Sequence, residues 1–78
     1  MAYYEFVCLG TPSMLVATAD ADPERIPDAA KACCREWQFV REFRFGDGSH
    51  GLALEETIRQ RVASQGYHIF SRSGLTGP

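Results

Sequence analysis

The side chains that could do chemistry in this 78-residue chain are three cysteines and two histidines. A tetrahedral metal site needs ligands whose spacing lets them converge, and Cys-x-x-Cys is the usual unit. Cys33 and Cys34 are adjacent instead, and on a helix their side chains point about 100° apart. Cys8, His50 and His68 could join them only through tertiary contacts. We therefore predict free thiols, no metal site and no metal cofactor.

A nucleophilic active site would need a cysteine or serine beside a histidine that a carboxylate holds. His50, with Asp47 nearby, is the pairing that lies close in the sequence. It falls in a glycine-rich stretch, where a polar turn residue is the common interpretation. His68 alternates with Tyr67 and Ile69, which is typical of a satisfied histidine in a sheet. We predict that the protein is not an enzyme.

The glycine-rich stretch spells G-x-G-x-x-G through Gly46, Gly48 and Gly51. A dinucleotide-binding domain needs a longer chain with a βαβ crossover and an acidic residue ~20 positions further on. Asp47 would also place a negative charge beside the phosphates. We interpret the stretch as a turn, and anion binding at the start of the following helix stays open as an alternative.

The segment of residues 37–45 determines how the sheet is expected to pack. Alternate side chains of an extended strand point to opposite faces, so four aromatic residues share one face. They are Trp37, Phe39, Phe43 and Phe45. The pattern has one irregularity. By its position Arg41 falls on the same face as the aromatic residues, and Val40 falls on the opposite, polar face. Four aromatic residues on one face predict a core beneath a layer of helices.

A β-hairpin is predicted before this segment. Residues 3–9 carry apolar side chains on both parities, which indicates a strand inside the sheet. Gly10-Thr11-Pro12-Ser13 is a turn signal, and residues 14–18 form the returning strand.

A first helix is predicted between the hairpin and the aromatic strand. Asp22 can cap its free N–H groups, and Pro23 suits its first turn. Pro27 interrupts the pattern, so either a short separate turn precedes it or the regular helix begins there. The apolar stripe consists of Ile26, Ala29, Ala30, Cys33 and Trp37. This stripe predicts that Cys33 is buried.

A second helix is predicted over residues 52–65, followed by a strand over residues 67–71. Its apolar line consists of Leu54, Ile58 and Val62. Glu55 and Arg59 are expected to form an i, i+4 ion pair, and Gly66 suits a left-handed helix stop.

These elements predict a single small α+β domain over residues 1–72, with a frayed tail at residues 73–78. We expect an antiparallel or mixed sheet of about four strands in the order ββαβαβ, with two helices on its aromatic face. If residues 49–53 formed a strand instead of a helix start, the fold would be ferredoxin-like with an extra N-terminal strand. The order of the strands in the sheet stays open.

Composition and charge are those of a small globular protein. Hydrophobic residues make up 45% of the chain, which is typical of a folded domain. The net charge of −2 argues mildly against non-specific nucleic-acid binding. No apolar run approaches the ~18 residues of a membrane-spanning helix. An odd cysteine count fits a reducing compartment, so we expect a cytoplasmic protein without membrane contact.

Two charged groups of residues are candidate partner surfaces. The first consists of the acidic residues Asp20, Asp22, Glu24 and Asp28. They could steer a basic surface of a larger protein or protein–nucleic acid complex towards the chain, although a solvated loop is the ordinary role of such a group. The second consists of Arg41, Arg44 and Arg72. With the aromatic strand they could bind single-stranded nucleic acid by stacking.

The sequence therefore predicts a small non-enzymatic protein-interaction module that needs no cofactor. Our specific expectation is a phage or mobile-element inhibitor of a bacterial complex, of the anti-CRISPR kind, because the chain is short and lacks a catalytic set. A single-stranded nucleic-acid-binding domain is one alternative. A homodimeric structural or regulatory module, associating through an open sheet edge, is another.

Overall fold

The computed structural model describes residues 2–48 and 50–71, as four strands, two α-helices and a 3-10 turn. In chain order these are β1 (Ala2–Cys8), β2 (Thr11–Thr18), the 3-10 turn (Pro23–Arg25), α1 (Asp28–Lys31), β3 (Trp37–Arg44), α2 (Leu52–Gln65) and β4 (Tyr67–Ser71). The sheet is antiparallel, with the spatial order β3-β1-β2-β4. The α+β class and the order ββαβαβ are confirmed. No helix of this described part is long and apolar enough to cross a membrane.

The predicted hairpin of β1 and β2 is confirmed, with a longer second strand than expected. Cys8 pairs with Thr11, so β2 begins before the predicted residues 14–18. The turn is thereby reduced to residues 9–10. Pro12 lies at the exposed end of β2, where a missing N–H donor is tolerated.

A bulge at Val40 interrupts the pairing of β3 with β1. Glu5 pairs with Arg41, whereas the next residue, Phe6, pairs with Phe39, which leaves Val40 as an extra residue. An extra residue reverses the alternation of side chains beyond it. The expectation that four aromatic residues of this segment share one face is therefore wrong. The sequence indicated the bulge, because Val40 and Arg41 are an apolar and a polar residue in each other's place in the alternation.

The aromatic residues of β3 consequently serve two separate hydrophobic clusters, one on each face of the sheet. The cluster on the α1 face consists of Phe6, Cys8, Val16, Ile26, Ala30, Cys34 and Trp37. The cluster on the α2 face consists of Tyr3, Leu15, Ala17, Phe43, Ile58 and Phe70. The two helical segments thus pack on opposite faces of the sheet, rather than together on one aromatic face. Phe39 and Phe45, which we expected in the core, are 49% and 44% exposed.

Pro27 separates the 3-10 turn from α1, which confirms the first of the two alternatives for this region. Asp22 caps the 3-10 turn, because its carboxylate accepts a hydrogen bond of 2.9 Å from the N–H of Glu24. Helix α1 is four residues long, much shorter than the predicted stripe. Ile26 and Ala30 are buried as expected, whereas Cys33 lies beyond the end of α1 and is exposed.

A disulfide bond joins Cys8 to Cys34, so our expectation of free thiols throughout is wrong. Cys8 ends β1 and pairs with Trp37 at the start of β3. That pairing brings the segment before β3 back against the end of β1, and the Cα atoms of the two cysteines are 5.9 Å apart. Cys33 is a free thiol, but it is exposed rather than buried.

Helix α2 has the predicted bounds, so the ferredoxin-like alternative is not observed. It ends at Gly66, whose φ of 92° is left-handed and whose N–H donates to the carbonyl oxygen of Val62. The predicted ion pair between Glu55 and Arg59 is wrong, because Glu55 is buried and Arg59 pairs with Glu56 instead. Glu55 lies three positions before the buried Ile58, on the side of α2 that faces the sheet.

Candidate functional site

The four acidic candidates are all exposed, on and around the 3-10 turn. They are Asp20, Asp22, Glu24 and Asp28. Two of them also cap backbone groups: Asp20 accepts from the N–H of Asp22, and Asp22 accepts from that of Glu24, each at 2.9 Å. Asp20 therefore has a structural role in the turn that the sequence did not indicate, and the other two carboxylates extend the negative surface towards α1.

This acidic group adjoins the sheet. The 3-10 turn contacts β3. Glu24 and Trp37 line one shallow cleft of about 370 Å³, together with Lys31 and Arg35. Glu24, one of the four acidic candidates, and the first residue of β3 thus line the same cleft.

The arginine candidates do not form one surface. Arg41 lies opposite Glu5 in the ladder, on the α2 face, and its Nε is 3.4 Å from the Glu5 carboxylate. Arg44 follows the buried Phe43, so it points to the α1 face, and its guanidinium lies 3.9 Å from the carboxylate of Glu42. Arg72 lies outside the described residues. A base-stacking surface on β3 would need both arginines on a common face, but Arg41 and Arg44 lie three positions apart on the same side of the bulge and therefore point to opposite faces.

A buried polar pair lies beneath the start of α2. His50 Nε2 is 3.0 Å from Glu5 Oε1, and the two side chains are 0% and 4% exposed. The rings of Phe43 and Phe70 pack edge-on against the imidazole, with centroids 4.7 and 5.7 Å away. Our interpretation of His50 as a polar turn residue is therefore wrong. The imidazole packs against two aromatic rings and is closed to solvent, and the pair ties the loop before α2 to β1.

Asp47, the carboxylate that lies near His50 in the sequence, has another role. Its carboxylate accepts a hydrogen bond of 2.8 Å from the N–H of Arg44, and its own N–H donates to the Arg44 carbonyl. The one sequence sign of the true partner is Glu5, a carboxylate within an otherwise apolar strand. Its contact with His50 spans 45 positions, which no local pattern could identify.

Glu55 of α2 binds the backbone of the glycine-rich stretch. Its Oε1 accepts a hydrogen bond of 3.0 Å from the N–H of Gly46, and only 1% of the residue is exposed. Gly46 and Gly48 have φ values of 86° and 83°, which suits a turn. Since the Gly46 and Asp47 N–H groups bind within the chain, they are not available to an anion.

His68 is half-buried on the same face of β4 as Phe70, as its alternation predicts. The two rings stack with centroids 6.0 Å apart. Burial lowers the pKa of His68, and the nearby positive charge of Arg61 lowers the pKa further. The imidazole is therefore biased towards its neutral form.

The outer edge of β3 is an exposed apolar feature that the sequence patterns did not indicate. Phe39 is 49% exposed and Val40, at the bulge, is 40% exposed. On one side β3 pairs with β1, and within the described residues no strand pairs with its other side. The strand is eight residues long, so a row of backbone N–H and C=O groups faces outward beside apolar side chains.

A cavity of about 540 Å³ continues from the C-terminal end of β3. It is lined by Tyr3, Ala19, Phe45, Arg59, Val62 and Ala63. Phe45 directly follows β3, whereas Arg59 and Val62 belong to α2. Because Glu56 neutralises Arg59, the cavity offers mainly apolar contact, which suits a hydrophobic side chain.

Within residues 2–48 and 50–71, no three histidine, cysteine, aspartate or glutamate residues come together as metal ligands. Comparisons with protein-family models, with curated proteins and with solved structures found no match to this chain.

Proposed function

We propose that this chain is a small non-enzymatic protein-interaction module that binds an extended segment of a larger protein along the outer edge of β3. The exposure of Phe39 and Val40 on an edge strand supports this proposal. An extended segment can add to such an edge, because main-chain hydrogen bonds supply affinity and alternate side chains supply specificity.

The chemistry around the edge favours a basic partner segment. The exposed carboxylates on and around the 3-10 turn lie near the start of β3, where Glu24 and Trp37 line a cleft that the basic residues Lys31 and Arg35 also line. These carboxylates would attract lysine or arginine residues of the partner and raise the rate of association in a salt-sensitive way. The acidic residues Asp20, Asp22, Glu24 and Asp28 therefore remain our proposed partner-binding residues, now joined by Phe39 and Val40.

The bulge and the charges of β3 favour a dedicated partner over a second copy of the chain. Bulges and edge charges are the devices by which proteins prevent indiscriminate edge-to-edge pairing. In a symmetric antiparallel pair centred on Arg41 or Glu42, like charges would face each other, which is unfavourable. A homodimer remains an outcome that sedimentation would reveal.

Within this class we propose an inhibitor of a bacterial protein–nucleic acid complex, of the anti-CRISPR kind. An acidic flank of this type could compete with nucleic acid for a basic surface. The cytoplasm is the compartment proposed for this role. The Cys8–Cys34 disulfide instead favours an oxidising compartment, so the redox state of these cysteines in the cell decides between the two.

Affinity capture from host lysate with matched variants tests the proposal. Phe39→Asp and Val40→Asp place charges on the edge, and Leu52→Asp is the control, because Leu52 is an exposed apolar residue at the start of α2. We expect one stoichiometric protein to be retained by the wild type and by Leu52→Asp and lost from the two edge variants. Equal retention by all variants, or co-purification of nucleic acid alone, would contradict the proposal.

A further inference from the structure

We propose that Cys8, Cys33 and Cys34 form a thiol–disulfide exchange site, in which Cys33 can replace Cys34 as the partner of Cys8. All three cysteines line one cleft of about 360 Å³ at the end of β1. Cys8 and Cys34 are joined, whereas Cys33 is an exposed free thiol next to Cys34 in the chain. The site therefore holds a nucleophile, a disulfide and a leaving group together, and this proposal does not depend on the proposed function.

The backbone allows either cysteine to reach Cys8. The Cα atoms of Cys8 and Cys34 are 5.9 Å apart. Neighbouring Cα atoms are ~3.8 Å apart, so the Cα of Cys33 lies within about 10 Å of that of Cys8. A disulfide bond needs a Cα separation below ~7 Å, so a shift of about 3 Å at most is required.

The segment that must shift has no regular secondary structure. It runs from residue 32 to residue 35, between the end of α1 and the start of β3. Three backbone hydrogen bonds hold it. The N–H groups of Cys33 and Cys34 both donate to the carbonyl of Ala30, at 3.1 and 3.3 Å, and the N–H of Leu9 donates to the carbonyl of Glu36 at 3.1 Å. Rearrangement of this segment exchanges the two bonds to Ala30 but breaks no strand pairing, because the ladder begins at Trp37.

The exchange balances without any outside oxidant or reductant. The Cys33 thiolate attacks the Sγ atom of Cys8, and a bond forms between these two sulfur atoms. The bond between Cys8 and Cys34 breaks, and Cys34 leaves as a thiolate, which takes up the proton that Cys33 released. One disulfide and one thiol are present before and after the step.

The two disulfide isomers differ in which side chain the core contains. Cys34 is now buried in the α1-face cluster with Ile26 and Trp37, whereas Cys33 faces solvent. Exchange would bring Cys33 inward and release Cys34. Because Cys8 pairs with Trp37 in the ladder, the isomer present determines how the chain enters β3.

Three serine variants test the exchange. Each is equilibrated in a glutathione redox buffer chosen so that the Cys8–Cys34 disulfide of the Cys33→Ser variant is fully formed. We expect the Cys34→Ser variant to form a Cys8–Cys33 disulfide. Its monomer, like that of Cys33→Ser, should then show no free thiol when it is assayed in denaturant. Cys8→Ser is the control for an unlinked chain and should show two free thiols. Two free thiols in monomeric Cys34→Ser would overturn the proposal.

A measurement on the wild type keeps the test decisive if Cys34→Ser fails to fold. The oxidised native protein is incubated at pH 8.5 and then alkylated rapidly with excess iodoacetamide. Trypsin cuts after Lys31 and Arg35, and fragmentation between Cys33 and Cys34 in the tandem mass spectrum locates the label. We expect label on Cys34 in part of the molecules, and label on Cys33 alone would overturn the proposal.

Discussion

Glu5 and His50 meet in a 3.0 Å hydrogen bond that is closed to solvent, although 45 positions separate them in the chain. The contact joins β1 to the loop before α2. Arg41, on the neighbouring strand β3, approaches the same Glu5 oxygen at 3.4 Å. One carboxylate therefore links two strands and the loop before α2. Its removal should lower the stability of the whole fold and not of β1 alone.

Glu5→Leu is expected to lower the free energy of unfolding by ~1–3 kcal/mol, because it leaves the buried imidazole without a partner. Glu42→Leu is the control, since Glu42 is an exposed carboxylate on β3, and its effect should stay within about 0.5 kcal/mol. Adding His50→Leu to Glu5→Leu should recover part of the loss, because the imidazole that Glu5→Leu leaves without its partner is then also removed. Denaturant titrations measure all three, and a Glu5→Leu variant as stable as the wild type would contradict the structural role.

Phe43→Ala and Phe39→Ala should differ strongly in stability. Phe43 is 2% exposed, so its truncation should cost ~3–5 kcal/mol. Phe39 is half-exposed, and its ring meets that of Phe6 in a T-shaped contact, so its truncation should cost much less. Thermal melting compares the pair directly. Equal losses would mean that the bulge at Val40 does not separate the two rings.

Opening the Cys8–Cys34 disulfide is expected to destabilise the fold by ~2–4 kcal/mol, because the bond closes a loop whose ends are 26 positions apart. The Cys33→Ser variant is the proper background, since it cannot exchange disulfides. Its unfolding midpoint in denaturant should fall when a dithiol reductant is added. A midpoint that does not move, with reduction confirmed by mass, would mean that packing alone holds the segment before β3.

Acidification should destabilise the protein in part through His68. Burial lowers the pKa of His68 in the folded state, so the unfolded chain binds more protons between its ordinary value and the lowered one. Stability therefore falls as the pH drops from about 7 through this window. His68→Gln removes the titration, so its unfolding free energy should lose less between pH 7.5 and 5.5 than that of the wild type. Identical losses would show that His68 does not contribute.

Local patterns in the sequence were enough for the order and type of the elements of this fold, although α1 is shorter and β2 longer than those patterns predicted. Helix α2 follows from the spacing of Leu54 and Ile58, and its end from a glycine that can adopt a positive φ. The strands follow from alternation, and the interruption at Pro27 from its missing N–H donor. All of these depend on interactions within a few positions of the chain, where the residue types themselves decide.

The tertiary structure alone decided the disulfide, the buried pair of Glu5 and His50, and the exposure of Phe39. Each depends on which strands become neighbours and in which register. A single extra residue at Val40 divides the aromatic side chains between two faces of the sheet. Alternation by itself cannot predict which face each ring takes, because the bulge reverses the alternation of the residues that follow it. Pairing of Cys8 with Trp37 likewise brings Cys34 within bonding distance, although nothing near either cysteine indicates it. Long-range register carries no local signature, because its energy comes from contacts that exist only once the sheet has formed.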